Sequence, residues 1–180
     1  TDELGNVSAP VSSSSFTIDT SVPNTTLAGT GPTGTVSDKT ASFAFTASES
    51  PATFQCRLDT EVAFTTCASP KDLTGLAEGE HTFQVRARDA AGNVDASPAE
   101  RRWTVDTLAP DTTIDSGPAT TGSTATFTFS SEAGATLACS LDGTAFTTFS
   151  ASKTYTGLTG GSHTFAVRAT DAVGNVGVAA

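Results

Sequence analysis

Apolar and polar side chains alternate along most of the chain, and a helical period of about 3.6 residues is almost absent. The odd-numbered positions of 41–47 are Ala or Phe, and those of 81–87 are His, Phe, Val and Ala. The even-numbered positions of 82–88 are Thr, Gln and Arg, so each predicted strand has one buried face and one wet face. Clusters of Gly, Pro, Asp and Asn, as at 31–34 and 89–93, predict the turns between strands.

The same segments recur at a nearly constant interval, which predicts a tandem repeat. The motif Asp-x-x-Gly-Asn-Val occurs at 2–7, 89–94 and 171–176, so its copies begin 87 and 82 residues apart. The segment Phe-Thr-Ile-Asp-Thr at 16–20 likewise matches Trp-Thr-Val-Asp-Thr at 103–107. Each repeat holds about seven predicted short strands, the number typical of an immunoglobulin-like β-sandwich. We therefore expect an all-β fold.

The phase of the repeats predicts three segments. Residues 1–20 are the C-terminal strand region of a preceding repeat, residues 21–107 are one repeat, and residues 108–180 are a repeat that lacks its last strand. Because the Asp-x-x-Gly-Asn-Val motif lies at both ends, we expect a window cut from a longer array. The residues that follow would then complete the second repeat; alternatively, residues 10–20 of one copy would add as a strand to the next copy.

The charge balance limits the range of partners. The chain has 9 basic and 19 acidic residues and a net charge of −10, which no local basic cluster offsets. Such a surface repels phosphate backbones and anionic lipid, so we expect neither nucleic-acid binding nor electrostatic docking to membranes. No apolar run approaches the roughly 20 residues that a membrane-spanning helix needs.

Five motifs carry a family resemblance: Phe-Gln-Cys-Arg-Leu-Asp at 54–59, Cys-Ala-Ser-Pro at 67–70, Gly-Glu-His-Thr-Phe-Gln-Val-Arg-Ala at 79–87, Ala-Gly-Asn at 91–93 and Trp-Thr-Val-Asp-Thr at 103–107. Together they resemble the bacterial immunoglobulin-like repeat of large secreted surface proteins, a module related in shape to fibronectin type III. The resemblance covers the whole chain. It implies tandem immunoglobulin-like or fibronectin III-like β-sandwiches in an extracellular stalk, adhesin or fibre. It does not imply a ligand, because one fold hosts many functions.

Cysteine usage differs between the repeats. Cys56 and Cys67 lie eleven residues apart, on either side of a predicted hairpin. In the extracellular setting that the resemblance implies, we expect a disulfide worth roughly 2–3 kcal/mol; the alternative is two reduced, buried thiols. The second repeat has Cys139 and Phe149 at these positions. Phe149 would fill the space, and Cys139 would be a buried hydrophobic residue or else an inter-chain link.

The two histidines, His81 and His163, occupy the same place in the repeat, at the start of a predicted strand. In immunoglobulin-like sandwiches a Tyr near this position hydrogen-bonds to the preceding corner, and we expect the His ring to do the same. Neither has a second His nearby or a repeat-matched Ser or Cys nucleophile, so no catalytic triad, zinc site or phosphate loop is predicted. We expect no catalysis.

Acidic residues gather near the predicted boundary between the repeats. Their oxygens are the hard ligands that Ca²⁺ prefers, and the candidates are Asp89, Asn93, Asp95, Asp106 and Asp111. Asp and Asn also dominate turns, because their side chains hydrogen-bond to nearby backbone. The second repeat has a glycine where the first has Asp95, which weakens the calcium hypothesis. Calcium at the junctions is the only cofactor that the sequence suggests.

Two functions therefore remain open at the level of sequence. The first is a structural repeat of a stalk or filament on the cell surface, whose partners are neighbouring repeats or copies of the same protein. The second is an adhesin or glycan-binding appendage of a secreted protein. The second role calls for an exposed aromatic platform, and here Trp103 and Tyr155 are single and unmatched between repeats.

Overall fold

The computed structural model describes residues 3–5, 7, 14–118 and 122–180, and every regular element in this part of the chain is a β-strand. Nine strands fall in the first predicted repeat: β1 (Thr25–Leu27), β2 (Gly34–Val36), β3 (Ala41–Phe43), β4 (Phe45–Ala47), β5 (Ala52–Leu58), β6 (Thr65–Cys67), β7 (Lys71–Leu73), β8 (Gly79–Asp89) and β9 (Ala99–Val105). Six fall in the second: β10 (Thr112–Ser116), β11 (Ala125–Ser131), β12 (Thr136–Leu141), β13 (Thr147–Thr148), β14 (Ser152–Tyr155) and β15 (Phe165–Thr170).

The strands of the first repeat form two facing layers. One layer is a five-stranded sheet in the order β2-β9-β8-β5-β6, in which β2 runs parallel to β9 and all other neighbours are antiparallel. The other layer consists of the pairs β1-β4 and β3-β7. The alternating segment 41–47 is interrupted at Ala44, whose carbonyl oxygen accepts a hydrogen bond from the Ala28 amide at 2.8 Å. Strands β3 and β4 therefore pair with different neighbours.

Aromatic side chains fill the space between the two layers. Phe43 from the smaller layer stacks on Phe83 from the larger one, with ring centroids 4.5 Å apart. Trp103 lies 5.2 Å from Phe43, and Val85 and Val105 are buried beside them. Burial of one such side chain contributes roughly 1.5–3 kcal/mol, so this Phe-centred cluster is a major source of hydrophobic stabilisation in the first repeat.

The second repeat builds the same kind of core from its own strands. Its sheets have the orders β10-β11-β14 and β13-β12-β15. Phe127 stacks on Phe165 at 4.0 Å, as Phe43 does on Phe83, and Phe129 and Val167 are buried in the same cluster. The predicted fold class is confirmed: the chain is all-β and consists of tandem immunoglobulin-like or fibronectin III-like β-sandwiches.

The two sandwiches differ at one edge. Among the described residues of 108–180, no strand takes the place that β9 has in the first repeat. The backbone after β15 makes three hydrogen bonds to that strand: the Gly177 amide donates to the Ala169 carbonyl at 2.9 Å, the Ala180 amide donates to the Val167 carbonyl at 2.8 Å, and the Val167 amide donates to the Ala180 carbonyl at 3.2 Å. The predicted segment boundaries stay predictions.

The segment that resembles a last strand lies outside any sheet. Phe16 and Ile18 correspond to Trp103 and Val105, yet they are 84% and 76% exposed. Of the residues 10–20 proposed for strand donation, 10–13 fall outside the described part of the chain.

We predict that Phe43→Ala destabilises the first repeat by about 3–5 kcal/mol, because the substitution leaves a cavity against Phe83 and Trp103. Denaturant unfolding followed by Trp103 fluorescence measures this loss, since that residue is the only Trp in the chain. Val62→Ala is the control, because Val62 is 95% exposed and its truncation leaves no cavity. Equal midpoints for the two variants would contradict the assigned core.

Candidate functional site at the repeat junctions

The Asp-x-x-Gly-Asn motif forms a closed loop at the end of β8. One carboxylate oxygen of Asp89 accepts hydrogen bonds from the amides of Gly92 at 2.6 Å and Asn93 at 2.7 Å, and the other accepts from Asn93 Nδ2 at 2.7 Å. Gly92 has a φ of +100°, which a side chain would strain. Burial raises the pKa of Asp89, but these hydrogen bonds outweigh burial and leave the pKa below its ordinary value.

The second repeat reproduces this loop. Asp171 Oδ1 accepts hydrogen bonds from the amides of Val173 at 2.9 Å and Asn175 at 2.8 Å, while Oδ2 accepts from Asn175 Nδ2 at 2.7 Å. The pKa of Asp171 is also lowered, because hydrogen bonds from Asn175 and Val173 outweigh the effect of burial. The motif thus holds the asparagine side chain in the same orientation in both repeats.

The second hydrogen of each asparagine amide reaches the linker that enters its own repeat. Asn93 Nδ2 donates to the carbonyl oxygen of Asp19 at 3.1 Å, and Asn175 Nδ2 donates to the carbonyl oxygen of Asp106 at 2.9 Å. Asp19 and Asp106 hold equivalent places in the repeat, in the segments 16–20 and 103–107. We call this contact the junction clasp.

The repeat that the linker leaves holds it as well. The amide of Asp106 donates to the Val36 carbonyl at 2.9 Å, and the amide of Thr107 donates to Glu78 Oε2 at 2.9 Å. The Thr107 hydroxyl donates to Glu78 Oε1, which also pairs with Lys39 Nζ at 2.9 Å. Bonds from the Thr107 hydroxyl and amide, with Lys39, lower the pKa of Glu78 to about 2. The linker at 106–107 is therefore bonded to both repeats.

Asp95 lies in a different network from the loop. Its Oδ2 accepts from the Thr25 amide at 2.8 Å, and its Oδ1 accepts from the amide of Ser97 at 2.8 Å and from its hydroxyl at 3.0 Å. Thr25 Oγ1 in turn accepts from the Ala87 amide at 2.7 Å. Burial raises the pKa of Asp95, but the bonds from Thr25 and Ser97 outweigh it and lower the pKa overall. This network ties β1 to β8.

Steric crowding explains why the second repeat has a glycine, Gly177, at the position of Asp95. A Cβ at Gly177 would lie 2.1 Å from the carbonyl oxygen of Pro110, so no larger residue fits without movement of the backbone. The hydroxyl of Thr112, the counterpart of Thr25, is buried without a hydrogen-bond partner within the described chain.

The structure distributes the predicted calcium ligands over several places. Asp89 and Asn93 lie together, Asp95 belongs to the Thr25 network, and Asp106 lies at the next junction. Asp111 contributes its carbonyl oxygen, which accepts from the Ser131 hydroxyl. The three carboxylates that do converge, with oxygens within 4.8 Å of one another in the described residues, belong to Asp19, Glu49 and Asp89.

Sequence reasoning missed Asp19 and Glu49 as neighbours of Asp89. The repeat itself contains the signal for Asp19, because Asp19 is the counterpart of Asp106, which was singled out. Nothing in the alternation pattern points to Glu49. Calcium binding by the predicted set stays a prediction.

The structure contains the expected bridge between Cys56 and Cys67, with a Cα–Cα distance of 5.8 Å. The equivalent place in the second repeat has Cys139, which is free and buried, and Phe149, which packs against the core. The Cys139 sulfur lies 3.6 Å from the Tyr155 hydroxyl. Burial, with smaller effects of Cys139, raises the pKa of Tyr155. One repeat is thus cross-linked where the other is packed by aromatic rings.

Each histidine ring contacts two acceptors. His81 Nδ1 lies 2.8 Å from Asp59 Oδ2, and its Nε2 lies 2.9 Å from the Ala77 carbonyl oxygen, which belongs to the preceding corner. His163 makes the same contacts, with Asp142 Oδ2 at 2.7 Å and the Thr159 carbonyl at 2.9 Å. A neutral imidazole donates only one hydrogen bond, so the geometry suits the protonated ring.

The pKa values follow this geometry. Burial lowers the pKa of His81, but the Ala77 carbonyl and Asp59 outweigh burial and raise it overall. For His163, the bond to Asp142 is the largest effect, and the pKa is again raised.

No known protein family matches the chain, and no curated protein is significantly similar to it. Among solved structures, it is similar to the fibronectin(III)-like modules of Clostridium thermocellum CbhA, with 16% sequence identity, coverage of 87% of this chain and 90% of that chain, and a TM-score of 0.42. None of the described segments forms a helix long and apolar enough to cross a membrane.

We predict that peptide mapping without reduction recovers Cys56 linked to Cys67. Cys139 reacts with an alkylating reagent only after denaturation, because its side chain is buried. Mass spectrometry distinguishes these species. A peptide that links Cys56 to Cys139 would contradict the pairing within one repeat.

We also predict that stability falls as the pH rises through the folded pKa of the histidines. A raised folded pKa contributes stability that is fully present below the unfolded value of about 6.5 and is lost above the folded value. Melting temperatures between about pH 6 and pH 9 measure the loss, and NMR titration of the ring protons locates both values. The double variant His81→Gln and His163→Gln should have a flatter profile in this range; an unchanged slope would contradict the prediction.

Proposed function

We propose that this chain is a structural segment of an extracellular stalk or filament, in which tandem β-sandwiches are held at fixed angles and no catalysis takes place. The observation that carries the proposal is the double attachment of Asp106, whose amide bonds to Val36 and whose carbonyl bonds to Asn175. The same clasp at Asp19 supports a junction geometry that repeats along an array. Neighbouring repeats or copies of the same protein are then its partners.

The Cys56–Cys67 bridge supports an extracellular location, because disulfides persist in oxidising compartments and are rare in the cytosol. The alternative role is an adhesin or glycan-binding appendage of a secreted protein. The half-buried side chains of Arg57 and Arg86, stacked on the Phe64 ring at the outer face of the five-stranded sheet, favour that role.

Calcium at the junctions is a second proposed source of stiffness. The predicted ligands are those at Asp89, Asn93, Asp95, Asp106 and Asp111. Only Asp89 among them has carboxylate neighbours close enough to share an ion within the described residues. The junction clasp needs no ion, so the two contributions can be separated by chelation.

The test is whether the two repeats tumble together. We predict that ¹⁵N relaxation of the full chain gives both repeats one rotational correlation time, and that Asn175→Ala gives them separate, shorter times because the bond to Asp106 is lost. Asn93→Ala is the matched control: it makes the same change in the equivalent loop, but its partner is Asp19, outside the 106–107 linker.

Separate correlation times in the parent chain would contradict the stalk proposal, as would an Asn175→Ala variant that tumbles like the control. Addition of a chelator to the parent chain tests whether calcium contributes to the stiffness of the junction. Loss of coupling would support calcium held at Asp106 and Asp111, whereas unchanged coupling would assign the stiffness of this junction to the clasp alone.

A further inference from the structure

The outer face of the five-stranded sheet is rich in arginine, although the chain as a whole is acidic. On β8 the alternation buries Phe83, Val85 and Ala87 and turns Arg86 and Arg88 outward. Neighbouring strands add further Arg and Gln side chains and a Glu side chain to the same face. In a chain with a net charge of −10, this concentration of guanidinium groups needs a physical explanation.

Arg57 and Arg86 are held side by side by one aromatic ring. Their Cζ atoms lie 4.6 and 4.2 Å from the centroid of the Phe64 ring. Each Nε is also occupied: that of Arg86 donates to Gln55 Oε1 at 2.9 Å, and that of Arg57 donates to Gln84 Oε1. Stacking and these bonds orient both guanidinium groups, and their terminal nitrogens have no hydrogen-bond partner among the described residues.

No carboxylate of the described chain forms an ion pair with either of these guanidinium groups. The ion pairs of the described residues are Lys39–Glu78, Arg102–Glu100, His81–Asp59 and His163–Asp142. Glu100 is the nearest counter-charge: Gln84 Nε2 donates to Glu100 Oε2 at 2.6 Å, and the pKa of Glu100 is lowered by bonds from Arg102 and Gln84 and also by the charge of Arg57. Arg57 and Arg86 repel each other, and Glu100 balances only the charge of Arg57 in part, so both guanidinium groups would attract an anionic ligand bound between them.

We propose that Arg57, Arg86 and Phe64 form a binding site for a carboxylated sugar, such as a uronate residue of an acidic polysaccharide. The terminal nitrogens of a guanidinium match the two oxygens of a carboxylate. The half-buried Phe64 ring keeps both guanidinium groups in place for that carboxylate, and the Gln55 amide offers a donor to a hydroxyl of the sugar. An acidic peptide supplies the carboxylate without a hydroxyl-bearing ring, so it satisfies only part of the site.

The second repeat contains a reduced version of the site. Arg168 lies over Phe146 at 4.2 Å, as Arg86 lies over Phe64. However, Ser140 occupies the place of Arg57, and Ala138 pairs with Arg168 where Gln55 pairs with Arg86. The second guanidinium and the amide are both absent there, so this repeat serves as an internal control.

The experiment titrates the full chain with trigalacturonate and follows the backbone NMR resonances of β5 and β8. We expect Arg57→Gln and Arg86→Gln each to weaken binding by about tenfold, because each removes a charge-assisted bond. Phe64→Leu should also weaken it while keeping an apolar residue. Arg168→Gln, which makes the same charge change at the Phe146 stack, should leave the affinity unchanged.

Three results would overturn the proposal. The first is no shift in β5 or β8 of the parent chain, and the second is an equal loss of affinity in Arg168→Gln. The third is equal affinity for the methyl ester of the same trisaccharide or for a glutamate oligomer of equal charge. Spectra without ligand establish that each variant is folded. The Asn175→Ala chain should bind normally, so failure here would leave the stalk proposal intact.

Discussion

The stacking of Phe43 on Phe83 is the contact on which the rest of the first repeat depends. It joins the smaller layer to the centre of the five-stranded sheet, at a centroid distance of 4.5 Å. Since β-strand side chains alternate, burial of Phe83 also fixes which residues of β8 face water. In the second repeat the rings of Phe127 and Phe165 stack in the same way, with their centroids 4.0 Å apart. One aromatic pair per repeat thus positions both the core and the outer surface.

The junctions apply a second constraint, which comes from the chemistry of an amide group. The side chain of asparagine has two N–H hydrogens, and the loop uses one to close on its own aspartate while the other reaches the linker. An aspartate at the same place would have no hydrogen to donate. The motif therefore forms a turn and also bonds each repeat to the linker that precedes it.

The two repeats have the same fold but make different local contacts at some equivalent positions. The first repeat has a disulfide between Cys56 and Cys67. At the same positions the second repeat has Cys139 and Phe149, which pack without a covalent bond. The carboxylate of Asp95 corresponds to Gly177, where Pro110 approaches too closely for a side chain. These exchanges are local because each site contacts only its own sandwich. The aromatic core and the asparagine clasp, by contrast, are present in both.

The sequence alone determined the all-β fold, the repeat, the cysteine pair and the contact of each histidine with its corner, because period-two alternation and short spacings act locally. It did not predict that Trp103 is buried, that Asp19 and Glu49 approach Asp89, or that Phe64 holds two arginines. Asp19 and Glu49 are far from Asp89 in the chain, and Phe64 meets both arginines only because β5 pairs with β8. These contacts depend on strand register and on the position of the linker. The alternation of polar and apolar residues does not by itself specify either one. Only the packed tertiary structure selects one register, and with it the surface that faces water.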